Sequence, residues 1–158
     1  MASASKDRWA TLLLVSIVVK AVTAIADQSI GQWTHIDNVP GGTACAARLA
    51  GNDIDTMLMI NGAEQLILVA GRADWHVSGP QEVGLRIDGF ELSHLKASAF
   101  NNIVLLPIDD LVVQKRLASA TDLYWTLSSG RYHASVTGLG DALEWVRQCE
   151  QNKRRPTV

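Results

Sequence analysis

The stretch 56–70, TMLMINGAEQLILVA, decides the fold. It sets two apolar runs, Thr56 to Ile60 and Gln65 to Ala70, on either side of Asn61-Gly62. Asn-Gly between apolar runs signals a hairpin, because both residues tolerate the positive φ of a tight turn. The runs are apolar at consecutive rather than alternate positions, so they suit central strands with both faces covered. A hairpin pairs its strands antiparallel, which argues against a doubly wound parallel sheet.

Working outward, Cys45 to Ala50 predicts a short strand, ended by Gly51-Asn52-Asp53. Ser78-Gly79-Pro80 predicts a turn. Val83, Leu85 and Ile87 then alternate with Gly84, Arg86 and Asp88, the period of a half-buried strand. Asp88-Gly89 turns the chain back, and Phe90 and Leu92 resume the apolar face. Ser93 to Phe100 fits either a helical turn or a short strand. Ile103 to Ile108 reads as a strand broken by Pro107. Leu123, Trp125 and Leu127, then Tyr132, Ala134 and Val136, alternate around Ser128 to Arg131 and predict a second hairpin.

Two helices are expected. Asp109 or Asp110 can cap the first, and Val113, Leu117 and Ala120 share one face of it. The second opens at Gly138-Leu139-Gly140, where Asp141 and Glu144 have capping-box spacing. It carries Ala142, Trp145, Val146 and Cys149 on one stripe. The expected fold is mainly β, a β-sandwich or curled antiparallel sheet, with a C-terminal helix packed on it.

Residues 1–26 read as a signal peptide. Lys6 and Arg8 precede an apolar run of eleven residues, Trp9 to Val19, and Ala24-Ile25-Ala26 has the form of a cleavage site. The competing reading is an uncleaved anchor in which Lys20 snorkels to the interface. Residues 27–151 then form one β-rich domain, and 152–158 a flexible basic tail. Membrane contact is expected only through the signal segment.

Cys45 and Cys149 are the two cysteines. In an oxidising compartment two thiols in one domain usually pair, and this bridge would tie the first strand region to the last helix. The alternative is two free buried thiols. Neither lies in a CxxC pair, and with the four scattered histidines they show no metal-ligand spacing. No cofactor motif occurs in the sequence.

Beyond Ala26 the chain has eleven Lys and Arg against fifteen Asp and Glu, a net charge of −4. An acidic domain lacks the basic face that phosphate binding needs, so nucleic acid is not the expected partner. Apolar residues make up 47% of the chain, enough to build a packed core.

The residues that carry chemistry have structural readings beside the functional ones. Asp74, His76 and Ser78 lie too close on an extended chain to converge as a triad. His94 lies near Glu91, and His133 alternates out of the core in its strand, so with His35 they read as surface or hydrogen-bonded histidines rather than as a site. Asp53 and Asp55 lack the glycine and glutamate of a calcium loop. Trp125 and Trp145 fall on apolar faces. Trp33 and Trp75 lie in polar stretches, where an exposed indole could anchor a partner and a half-buried one could plug the end of the fold.

The layout as a whole resembles the bacterial invasion-associated locus B family of exported β-rich proteins. The resemblance rests on Trp33 near the start, the early Cys45, Ile87-Asp88-Gly89 ending a strand, and Gly138-Leu139-Gly140-Asp141-Ala142-Leu143 leading to Cys149. It implies a periplasmic or secreted protein with an envelope or host-interaction role, and it assigns no catalytic residue. The expected function is a non-enzymatic binding module whose partner is a protein or another envelope component. The alternatives are a small secreted hydrolase built on a histidine and an acid, and an accessory subunit of a secretion assembly.

Overall fold

A computed structural model of the chain describes residues 32–36 and 45–155. The expected signal segment, the turn that Pro40-Gly41-Gly42 predicts from its composition, and residues 156–158 of the expected tail lie outside them. Among the described residues are β1 (Trp33–Ile36), β2 (Cys45–Leu49), β3 (Asp55–Ile60), β4 (Leu66–Gly71), β5 (Val77–Ile87), β6 (Phe90–Asn101), β7 (Ile103–Ile108), β8 (Asp122–Leu127) and β9 (Gly130–Ser135). The helices are α1 (Leu111–Ala118) and α2 (Leu139–Arg154). The strands form one antiparallel sheet in the order β1-β2-β3-β4-β7-β6-β5-β8-β9, curled into a half-barrel.

The hairpin of residues 56–70 stands inside this sheet as β3 and β4, with Ile60 opposite Leu66. Its connection is wider than a two-residue turn. The Asn61 side chain accepts from the amides of Ala63 and Gln65, and Glu64 rather than Gly62 takes the positive φ. Both faces are buried, as consecutive apolar residues require. Leu58, Leu66 and Leu68 join the main core under the helices. Met57, Met59, Ile67 and Val69 form a second cluster on the other face.

Two prolines lie inside strands, contrary to expectation. Pro80 continues β5, and Ser78-Gly79-Pro80 pairs with Ser98 to Phe100 instead of turning. Pro107 likewise continues β7, opposite Ile67 of β4. In each case the strand has one paired neighbour at that level. β8 meets β5 only from Gly84 onward, and β6 meets β7 only at Ile103 to Leu105. A missing N–H is tolerated where no second strand needs it. Ser93 to Phe100 belongs to β6 and is not helical. The register slips opposite Gly84, and His94 takes a φ of 58° at that irregularity.

α1 is capped by Asp110, whose carboxylate accepts from the amides of Val112 and Val113. Val113, Leu117 and Ala120 are buried beneath it, as their spacing predicts. α2 starts at Leu139 with Gly138 in the left-handed region and no side-chain cap, so the capping box expected at Asp141 does not form. The helix also runs to Arg154, three residues into the stretch expected to be a flexible tail, and Arg154 pairs with Glu64. Cys149 is bonded to Cys45, clamping the helix to the start of β2.

Candidate functional site

One rim of the half-barrel gathers most of its charged contacts. Three segments build it: the loop between β2 and β3, the loop between β4 and β5, and strand β9. The first loop folds tightly because residue 51 is glycine. A Cβ there would stand 2.0 Å from the carbonyl oxygen of Ile54, so no larger residue fits without moving the backbone. Asp55 holds the loop from below, accepting from the Gly51 amide at 3.1 Å and from Arg48 at 2.6 Å.

Asp53 is the hub. One carboxylate oxygen pairs with Arg72, and the other accepts the backbone N–H of His133 on β9 at 2.8 Å. Arg72 also donates from Nε to Asp74 at 2.6 Å and lies over the ring of Tyr132. The hydrogen bond to Asp74 raises the Arg72 guanidinium further above its ordinary value, and it holds the Asp74 carboxyl below the usual carboxylate range. Both groups therefore stay charged at neutral pH.

Two concavities flank this hub. One, of about 260 Å³, lies between the Ala50–Asp53 loop and His133, Ser135 and Thr137. The other, of about 540 Å³, lies over Arg48, Asp55, Arg72, Asp74 and Asn102. They share Gly51, Asn52 and Asp53, so together they make one polar cleft.

The two tryptophans proposed for partner contact fare differently. Trp75 is 4% exposed and meets the ring of Tyr132 edge-on at 4.9 Å, so it plugs the end of the core and presents no free face. Trp33 is half-buried. Its indole N–H donates to the carbonyl of Thr137 at 2.9 Å, which places it beside the smaller concavity. The bridged Cys45 and Cys149 lie away from the cleft and act as a clamp.

The histidines scatter. His35 stacks on Trp145 with ring centroids 4.2 Å apart. His94 meets Glu82 at 2.6 Å on an exposed face. Asp74 is engaged by Arg72, so Asp74, His76 and Ser78 form no triad. His133 alone joins the cleft with a carboxylate at hand, its Nε2 lying 2.6 Å from Asp122 and its ring stacked on Tyr124. Sequence patterning misses this pair, although the β8–β9 hairpin it spans is legible, because alternation marks a buried face and says nothing of what meets on the outer one. Asp53 and Asp55 serve arginines, which explains the acidic spacing without calcium. No cluster of three or more metal-ligating side chains occurs among the described residues.

No protein-family model, curated protein or solved structure matches the chain.

Proposed function

We propose that the protein is an exported, non-enzymatic binding module of the bacterial cell envelope that holds its partner in the polar cleft around Asp53. The bond between Cys45 and Cys149 carries this reading, since structural disulfides persist in oxidising compartments and are rare in the cytosol. The leader-like residues 1–26 and the resemblance to the invasion-associated locus B family point to the same compartment. The cleft adds a polar surface on a rigid frame, which is how many binding sites are built.

Mass spectrometry of the protein recovered from cells tests the compartment. A mature chain beginning at Asp27 with no alkylatable thiol is expected. An intact Met1 with two free thiols would remove the basis of the proposal. A photoreactive side chain at Asn52 tests the cleft, with an adduct to an envelope component expected there and none from the same group at Thr126.

The His133–Asp122 pair favours a second reading, a hydrolase in which His133 acts as base. Turnover of ester or amide substrates that disappears in His133→Ala would establish it. Absence of turnover leaves the binding module standing.

A further inference from the structure

The rim of the half-barrel ends in an open strand. Among the described residues β9 pairs with β8 on one side only, and its residue order fixes which backbone groups face outward. The His133 amide points away from β8, toward Asp53. In an antiparallel ladder the N–H and C=O of one residue point the same way and the direction alternates along the strand. Arg131 and Ser135 therefore turn their backbone groups to the same outer side as His133. All three residues are exposed.

Proteins normally blunt such edges. The half of β5 that lacks a second neighbour carries Pro80 and the left-handed Gly79. β1 is only four residues long. β9 has neither device. Among the described residues the Asp53 carboxylate guards it, accepting the His133 amide where a neighbouring strand's carbonyl would otherwise do so. The other oxygen of Asp53 is paired with Arg72, so a strand that takes the His133 amide need not strip the carboxylate of every partner. The smaller concavity lies along this edge, and most of its lining residues are small, Ala50, Gly51, Asn52, Ser135 and Thr137, with Asp53 and His133 beside them. A ligand there gains its hold from main-chain hydrogen bonds rather than from side-chain anchors, which is the mark of strand addition.

We propose that an extended polypeptide segment of the partner adds beside β9 as a further strand, and that Asp53 is the gate of this slot. The proposal rests on the binding-module reading and gives its partner a chemical class. It does not depend on the compartment, so a cytosolic protein with a peptide-accepting edge would sink export and leave strand addition intact.

The probe is a displayed heptapeptide library, selected against the disulfide-bonded protein. Selected peptides are expected to slow hydrogen exchange at the amides of Arg131, His133 and Ser135. N-methylation of alternate peptide residues should abolish binding, while N-methylation of the residues between should leave it unchanged. Asp53→Ala should tighten binding by about tenfold, the equivalent of one competing hydrogen bond removed. The N-methyl pattern is read on the unaltered protein, so it stands even if Asp53→Ala folds poorly. Selection of no peptide, binders that leave those amides unchanged, or an N-methyl scan without alternation would each overturn the proposal. So would slowed exchange at the same amides on raising protein concentration without peptide, which would make a second copy the occupant.

Discussion

The carboxylate of Glu150 accepts the backbone N–H of Cys45 at 2.7 Å, and Cys45 is also bonded through sulfur to Cys149, the neighbour of Glu150. The start of β2 and the end of α2 are thus joined twice at one point, by a covalent bond and by a hydrogen bond. Glu150 is only 6% exposed, and such burial of a carboxylate is costly unless its oxygens are satisfied. The Cys45 amide satisfies one oxygen, and Arg154 approaches the other at 4.0 Å. Glu150→Ala should lower stability by ~1–3 kcal/mol, since it strands a buried amide. Glu150→Gln keeps an acceptor and should lose less. Urea unfolding of the two variants checks the order, and an unaffected alanine variant would refute the role given to this carboxylate.

Reduction of the bridge should weaken the domain more than loss of Glu150. The cysteines are 104 residues apart, and closing a loop of that size is worth ~4–5 kcal/mol in the chain-entropy model. Leu139, Ala142, Leu143 and Val146 are buried against the core through their own packing, so the reduced chain should still fold in the absence of denaturant. The expected result is a lower guanidinium midpoint in reductant, reproduced by the Cys45→Ala, Cys149→Ala double variant without reductant. Equal midpoints would mean that the helix docks as firmly without sulfur.

Glycine identity should matter where backbones nearly touch. A Cβ on Gly140 would stand 2.2 Å from the carbonyl oxygen of Ala118, so the glycine lets α2 approach the end of α1. Gly→Ala inside a helix ordinarily gains ~1 kcal/mol of propensity. Here the sign should reverse, with a loss of ~1–3 kcal/mol as the helices are forced apart. Gly62→Ala has open space around it and should be close to neutral. A thermal melt in which Gly140→Ala is stabilising would disprove the close contact.

Local chemistry was readable in the sequence, and long-range closure was not. The 56–70 hairpin, the β8–β9 alternation and the cap at Asp110 depend on neighbours a few residues away, so pattern sufficed for them. The pairing of Cys45 with Cys149 is the long-range exception, because a chain with two cysteines offers a single intramolecular pairing. Pro80 and Pro107 misled because a proline reports only that one amide is unpaired, and in a curled sheet with staggered strands that is compatible with the strand continuing. β1 went unseen because four residues in a polar stretch show no period. The cleft was least legible. Asp53 and His133 are 80 residues apart and meet only because nine strands curl far enough to bring one edge near the β2–β3 loop.

Acid should unfold the domain in part through Asp88. This residue takes a φ of 50° in the turn between β5 and β6, and its carboxylate accepts from the amides of Asp122 and Thr121 and from the Thr121 hydroxyl. The Asp122 amide, with the Thr121 groups behind it, holds the carboxyl below the ordinary aspartate range. A carboxyl depressed in the folded state binds its proton more readily once the chain unfolds. Its contribution is therefore complete above the ordinary range, about pH 4, and is lost as pH falls through the depressed value. Asp88→Asn keeps an acceptor but cannot titrate. Its melting temperature should lie below that of the unaltered protein by a constant margin from neutral pH down to about pH 5, and the margin should narrow below about pH 4 as the native carboxyl protonates. A margin that stays constant to the lowest pH at which both proteins fold would show that the Asp88 carboxylate is no better held in the fold than in the unfolded chain.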